Sequence, residues 1–462
     1  YLLTEADLLF LEKKSVQIVF VPVGFSLGHS IIYVLNVVGK YDDPIRILHG
    51  DTLFNVLPKE YDTCYVSKVH DNYEWSYSNE VNKDNIYSGY FSFSNQKLLI
   101  KAITKKKFDF IAGFKEYREL KIIDEIFTEF WLDFGLVTTY FRSKAHLTTQ
   151  RVFNDLKITK FSVLKSSVDK NKMIAESNWY RNVPLDIKYF TPSFWNFFEK
   201  DTKAYYEIEY LNLNTLSDIY VFGNHPLYVW KDIFNACKSC LEVCYSYKNL
   251  IDNSYIDNSN KLYAEKTLSR LSNYSKNNNF DLDEKLIFNG INLPSLNEII
   301  LDINKPLMNS RSEFISVIHG DFCFSNILFN FRTQSIKVID PRGLDYNGNL
   351  TIYGDIRYDI AKLSHSVIGL YDYIVSGCYE LNEISKYNVN FRVNINDQII
   401  GIQNHFKSLN FIGKTLDELN TYPILIHLFL SMLPLHNDYP DRQKAFLANA
   451  LRLYSDFKSL ND

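Results

Sequence analysis

The sequence predicts an α/β domain with a parallel or mixed sheet, followed by an α+β domain that is mostly helical in its later part. Three observations predict this. Apolar strand-like runs and helix-like runs alternate up to about residue 145. Two short strands and an amphipathic helix then follow one another from Arg151 to Val183. Beyond "AYYEIEYL" (204–211) the pattern is mostly helical to the end.

Composition bounds the reading. A chain of 462 residues exceeds one ordinary core, so two or three domains are expected. With 46% hydrophobic and 23% charged residues, most of it should fold. The formal net charge of −4 offers nothing to a nucleic acid or another polyanion. The counts of 33 Tyr and 34 Phe read first as compositional bias and only then as binding surface. "YPILIHLFLSMLPLH" (422–436) is too short to span a bilayer and contains His and Pro, so it reads as a buried helix. No leader is visible, although the sequence opens on Tyr1. Cys237, Cys240 and Cys244 share one helix face without a neighbouring His, which reads as buried thiols rather than a zinc set. Free thiols fit a reducing compartment, and a cytoplasmic location is expected. The sequence does not fix an oligomeric state.

Taken in order, "VQIVFVP" (16–22) reads as a buried strand and "SIIYVLNVVGK" as a helix. "PIRILHGD" and "DTCYVSKV" read as further strands, and "NIYSGYFSFSN" as a strand that turns through Gly89. "RVFNDLKITKFSVLKSS" offers two strands, and "KNKMIAESNWYRNV" a helix. Residues 252–280, rich in Asn and Ser, read as loop material around the helix "KLYAEKTLSRLSNYS". The domain boundary is placed at about residue 148.

Two stretches share a His-Gly-Asp tripeptide after an apolar run: "ILHGDTLF" (47–54) and "VIHGDFCFSNIL" (317–328). In the second, Asp321 is followed by Asn326 five residues on, and the next strand, "SIKVID", ends in Asp340. That constellation suits phosphoryl transfer, in which catalysis is mostly positioning and charge stabilisation. Asp321 would accept the proton of an attacking hydroxyl, while Asn326 and Asp340 would hold Mg²⁺ against the phosphates of ATP.

"HGDFCFSNIL…VIDPRG" resembles the catalytic core of the aminoglycoside phosphotransferase and choline kinase family. The resemblance runs from about Arg151 to the end and implies a bilobal, protein-kinase-like fold, with an N-lobe over 149–211 and a helical C-lobe over 212–462. It implies that Lys165 in "VLKSS" clamps the nucleotide and that Glu176 in "MIAESNWY" pairs with it. Lys172 is the rival lysine, set aside because it falls on the predicted helix. "YEIEYL" resembles the hinge, where the backbone of Glu209, Tyr210 and Leu211 would meet the adenine edge. In "GDIRYDIAKL", Asp359 is expected to brace the catalytic loop. Two features separate the chain from protein kinases: "TIYGDIRYDIAKLSHSV" resembles the small-molecule family, and no Ala-Pro-Glu segment follows Asp340.

The first tripeptide has no such partners, since Val56 stands five residues beyond Asp51. "ILHGDTLF", with "EFWLDFGLVTTY", resembles the sugar-phosphate nucleotidyltransferases, in which two strand-end acids bind a Mg²⁺ bridging nucleotide and sugar phosphate. The resemblance assigns Asp51 and Asp133 to that metal and Gly28 in "GFSLGHSII" to a glycine turn near base and sugar. It implies a Rossmann-like domain over 1–148 that uses CTP or another nucleoside triphosphate. The family's opening strand and phosphate loop have no counterpart after Tyr1, so this half is expected to be N-terminally incomplete or degenerate. The two resemblances together imply a fused enzyme. It would phosphorylate a sugar, polyol or amino alcohol and activate the product as a nucleoside-diphosphate derivative for surface polysaccharide, such as capsule. The alternative is a kinase beside a non-catalytic nucleotide- or partner-binding module.

Overall fold

The computed structural model describes residues 8, 11, 12, 14–68, 76–78, 84–148, 155–249, 261–308 and 312–461, in two units, Tyr1–Gln150 and Arg151–Asp462. In unit 1, α1 (Leu27–Val38) begins where the Ser26 hydroxyl accepts the His29 N–H at 3.3 Å, and it ends at Gly39 in the left-handed region. Then come β1 (Ile45–Leu48), β2 (Thr52–Leu53), β3 (Thr63–Lys68) and β4 (Asn85–Phe93). Helices α2 (Gln96–Lys105) and α3 (Phe110–Leu120) lead to β5 (Asp124–Phe127), β6 (Leu132–Asp133) and α4 (Val137–Thr148).

The sheet order is β1-β4-β3-β5. Only β3 and β5 are parallel, so the sheet is mixed. Its core is aromatic: Phe91, Phe110, Phe114 and Tyr117 are buried, and Phe91 meets Phe110 and Phe114 edge-on at 5.0 Å. Two expectations are corrected here. Residues 16–22 form no strand, and Phe20 is 72% exposed, because an apolar run finds no ladder partner among the described residues. The chain does not turn at Gly89. The strand runs on with Gly89 at φ 94°, and the ladder with β3 shifts register between Cys64 and Val66.

Unit 2 opens with β7 (Asp155–Ile158), β8 (Ser162–Ser167), α5 (Lys170–Asn182), β9 (Phe194–Lys200) and β10 (Lys203–Glu209), an antiparallel sheet in the order β7-β8-β10-β9. Next are β11 (Asn214–Thr215), α6 (Leu216–Phe222), α7 (Leu227–Ser246), α8 (Lys266–Asn278), β12 (Leu286–Phe288), β13 (Ile291–Leu293) and α9 (Leu296–Asn304). The strands β14 (Ile315–Val317), β15 (Ile327–Asn330), β16 (Ser335–Val338) and β17 (Tyr353–Asp355) precede α10 (Ile356–Val367). Then β18 (Tyr379–Ser385), β19 (Asn388–Val393), α11 (Asp397–Lys407), α12 (Thr421–Met432) and α13 (Pro440–Asn461) close the chain.

Cys237, Cys240 and Cys244 are buried free thiols on α7. α12 is buried from Thr421 to Ser431, and no helix among the described residues is long and apolar enough to cross a membrane. The reading as mostly helical missed the sheet β13-β12-β19-β18, whose outer strand β18 is largely exposed and rich in polar residues. Residues 252–260, read as loop, lie outside the described residues.

Two buried histidines carry a pH dependence. His427 on α12 contacts Thr267 at 3.0 Å and Asn304 at 2.9 Å, and burial pushes it down to about 3. Burial likewise pushes His319 down to about 4. Below pH 6.5 the unfolded chain binds protons at these sites that the folded chain refuses, so stability falls as pH drops from 6.5 toward those lowered values. The expected loss is about 1.5 kcal/mol per histidine between pH 6.5 and 5, read from urea unfolding at the two pH values. Equal stability at both would show that the rings are hydrated.

Candidate active site

Strand geometry gathers the acids of unit 2. β14 delivers the chain to His319, Gly320 and Asp321, and a single 3₁₀ turn, Phe324–Asn326, starts β15. β15 and β16 pair antiparallel with Ile327 opposite Val338, and the Ile339 N–H donates to the Asn326 carbonyl at 2.9 Å. Asn326 and Asp340 therefore stand at the same end of the hairpin. The Asn326 amide nitrogen donates to the Asp321 backbone oxygen at 3.0 Å and to its carboxylate at 2.9 Å. This turns the amide oxygen of Asn326 the other way. Asp340 occupies the left-handed region at φ 57°, a conformation that Asp tolerates better than most residues.

The strand lysine reaches this loop. Lys165 on β8, only 3% exposed, donates to Glu176 on α5 at 2.7 Å and lies 3.0 Å from the Asp340 carboxylate. Lys172, the rival, is 4.0 Å from Glu176 and half exposed. Tyr206 on β10 completes the cluster, its hydroxyl donating to Glu176 at 2.6 Å. Burial would discharge Lys165, but Asp340 and Glu176 outweigh it and hold the ammonium charged. Burial pushes Glu176 up, and Lys165 opposes it.

Second contacts fix the loop. The Asp359 carboxylate accepts the N–H groups of His319 at 2.6 Å and Gly320 at 2.8 Å, the bracing its position in the sequence led us to expect. Burial lifts its carboxyl to about 7 despite those bonds. The Trp179 indole on α5 donates to the Ile318 carbonyl at 2.7 Å. Gly343, at φ 65°, lies so close to α5 that a Cβ there would fall 2.2 Å from the Ala175 carbonyl oxygen. Only glycine meets both demands.

Asp321 has a partner that the sequence reading missed: Lys362 on α10, 2.8 Å from its carboxylate. Burial would raise the Asp321 carboxyl, but Lys362, with Arg342 and His319, holds it well below the ordinary range. Lys362 stands three residues after Asp359, inside a stretch quoted for its acid. A lysine on the otherwise buried face of "IRYDIAKL" was the available signal. At the segment read as the hinge, the N–H groups of Glu209 and Tyr210 go to Ser193 O at 2.9 Å and Phe161 O at 2.8 Å. The Leu211 N–H has no acceptor among the described residues.

In unit 1, β2 follows Asp51 directly, and its Thr52 pairs with Asp133 at the end of β6. The Phe134 N–H donates to the Asp51 carbonyl at 2.8 Å. A Cβ on Gly135 would lie 2.6 Å from one Asp51 carboxylate oxygen and 3.4 Å from an Asp133 oxygen, so both acids border one small space. Asp133 is 8% exposed, and one of its oxygens is buried without a hydrogen bond. Gly28 is a correction. It sits in the first turn of α1, where a Cβ would strike the Phe108 carbonyl oxygen at 2.2 Å. Its hydrogen side chain serves helix packing, not an open turn against a ligand.

No protein-family model matches this chain, and no curated protein matches it. Among solved structures it is similar to a thermostable mutant of aminoglycoside phosphotransferase APH(4)-Ia, at 9% identity, covering 69% of this chain and 98% of that one with a TM-score of 0.40. It is similar to spectinomycin phosphotransferase APH(9)-Ia in complex with ADP and spectinomycin, at 10% identity, 66% and 90% coverage and a TM-score of 0.35. A putative aminoglycoside phosphotransferase from Ralstonia eutropha is similar at 10% identity, 69% and 98% coverage and a TM-score of 0.36.

Proposed function

We propose that unit 2 transfers the γ-phosphate of ATP to a hydroxyl of a small molecule. The observation that carries this is the meeting of Lys165, Glu176 and Asp340 beside the hydrogen-bonded pair of Asp321 and Asn326. The donor set fits Mg²⁺: a carboxylate on Asp340 and an amide oxygen on Asn326 are hard oxygen ligands at one hairpin end. Among the described residues, no three or more His, Cys, Asp or Glu side chains converge as a metal cage. Such a set suits an ion shared with nucleotide phosphates. When bound, that ion neutralises charge on the phosphates. Lys165, held charged, would orient the nucleotide, and the Leu211 N–H would meet its base. Asp321 stays ionised, accepts the hydrogen bond of the incoming hydroxyl and takes its proton late in transfer.

For unit 1, the proposal is a nucleotidyltransferase that would activate the phosphorylated product with CTP or another nucleoside triphosphate. Two observations support it: Asp51 and Asp133 both border the space beside Gly135, and the other carboxylate oxygen of Asp133 is buried without a hydrogen bond. Consecutive action of the two units would yield an activated building block for surface polysaccharide. The alternative, a non-catalytic unit 1, is favoured by the packing role of Gly28.

Thermal-shift titration with Mg-ATP and Mg-CTP separates the two readings. A ligand at a hundred times its dissociation constant stabilises by roughly 2.7 kcal/mol. We expect Mg-ATP to stabilise the wild type and Asp51→Asn, and Asp340→Asn to lose that effect. A Mg-CTP shift abolished by Asp51→Asn supports a working unit 1. A Mg-ATP shift that survives Asp340→Asn would overturn the assignment of unit 2.

A further inference from the structure

Asp321 ion-pairs with Lys362 of α10 at 2.8 Å, and Tyr263, in the turn before α8, stacks on Tyr358 of α10 at 6.2 Å, so α8 and α10 bring further cations together. Lys362 and Tyr358 lie one turn apart on α10, and Lys266 and Arg270 one turn apart on α8. Arg342, two residues past Asp340, donates to the Tyr358 hydroxyl at 2.6 Å and stacks over its ring at 4.5 Å. Arg270 gives one N–H to the Ser431 carbonyl at 2.8 Å. Lys266 has no hydrogen bond or ion pair among the described residues, although it is half-buried. Asp321 is the only described carboxylate ion-paired to any of the four cations.

The folded chain compensates this charge only in part, through Asp321 at Lys362 and the Tyr358 hydroxyl at Arg342. Burial, together with Arg342, Arg270 and Lys362, draws Lys266 down to about 8 against the opposing pull of Tyr358. Arg342, Lys266 and Lys362 outweigh burial at Tyr358 and bring its phenol down to about 7. Lys266 and Arg270 have no carboxylate partner among the described residues, and a partly buried cation without a counterion is costly unless something pairs with it. A structural role does not account for Lys266, which bonds to nothing. A cationic amino alcohol placed at Asp321 would meet like charge on this side.

We propose that the acceptor phosphorylated at Asp321 carries an anionic group, a carboxylate or a phosphate monoester, held by Lys362, Arg342, Lys266 and Arg270. This rests on the kinase reading of the site and narrows its substrate class to acidic hydroxylated molecules, such as sugar acids or phosphorylated polyols. Lys362 links the two functions. As the anion arrives, it turns part of its charge from Asp321 to the ligand, leaving the carboxylate to receive the hydroxyl proton.

The test uses the full chain and acceptors matched in size. Glycerol, ethanolamine, glycerate and glycerol 3-phosphate form one set; ribitol, glucosamine, glucuronate and ribose 5-phosphate form another. Acceptor-dependent ADP release is expected to be at least about tenfold higher for an anionic member than for its neutral and cationic counterparts, a difference of one charge-assisted contact. The glycerate and glucuronate arms separate a carboxylate ligand from a phosphate ester. Lys266→Met/Arg270→Met should raise the KM for the preferred acceptor at least about tenfold. Preference for a neutral or cationic acceptor, or an unchanged KM, would overturn the proposal.

A binding measurement needs no turnover. With saturating Mg-ADP, inorganic phosphate or acetate at constant ionic strength should raise the wild-type melting midpoint by about 2 °C or more over chloride, and the double variant should not respond. Absence of any anion shift in the wild type also overturns the proposal, whether or not the variant folds. If Mg-ADP itself raises no midpoint, the nucleotide reading fails instead, and the same plate distinguishes the two failures.

Discussion

Asp321→Asn is expected to keep its affinity for Mg-ATP and to lose about a thousandfold or more in turnover. General-base and hydroxyl-orienting groups contribute roughly 10²–10⁴ to rate. The nucleotide contacts assigned to Lys165, Asp340 and Leu211 do not pass through the Asp321 carboxylate, so binding should survive. Asn326 donates to both the backbone carbonyl and the side chain of Asp321; the first bond is untouched by the substitution, and an asparagine at 321 can still accept the second through its amide oxygen. What it loses is the charge that faces Lys362 at 2.8 Å and the lone pair that takes a proton. ADP release under saturating acceptor, beside a Mg-ATP titration, measures the two quantities separately. An unchanged rate would remove Asp321 from the chemistry and with it the kinase reading.

Lys165→Met should be the most destabilising of the substitutions proposed. Methionine fills nearly the same volume, so the change is electrostatic. It leaves Glu176, 2% exposed, facing Asp340 without a cation between them. Removing one partner of a buried pair costs about 3–5 kcal/mol, because the other charge stays desolvated. Adding Glu176→Gln should recover a large part of that loss, since the glutamine can still accept from Tyr206, which donates to Glu176 at 2.6 Å. Urea unfolding of wild type, both single variants and the double variant closes the cycle. If the double variant is no more stable than Lys165→Met, the lysine acts through packing and the charge argument fails.

Legibility in the sequence followed distance along the chain. Asp321, Asn326 and Asp340 could be read because one hairpin holds them, and Lys165 with Glu176 because a strand and the next helix hold them. Lys362 and Tyr206 arrive by packing between distant elements; the one trace of Lys362 was a lysine on a buried helix face, and Tyr206 left none. Glycine was the least readable residue. At Gly89 the need is a positive φ within a strand, whereas at Gly28 it is room for the Phe108 carbonyl. A sequence shows neither need. Residues 16–22 failed for a different reason. Hydrophobicity marks a candidate strand, but a strand exists only where a neighbour pairs with it. The largely exposed strand β18 shows the converse, being paired with β19 despite its polar residues.

The contact of Gly343 with the Ala175 carbonyl reaches beyond local fit. It seats the segment bearing Asp340 on the backbone of the helix bearing Glu176, and the Trp179 indole bonds that helix to the approach to Asp321. The helix bearing Glu176 and the turn bearing Asp340 therefore cannot slide past each other like loosely hinged plates. They behave as one clasp, and any motion of one side carries the other with it.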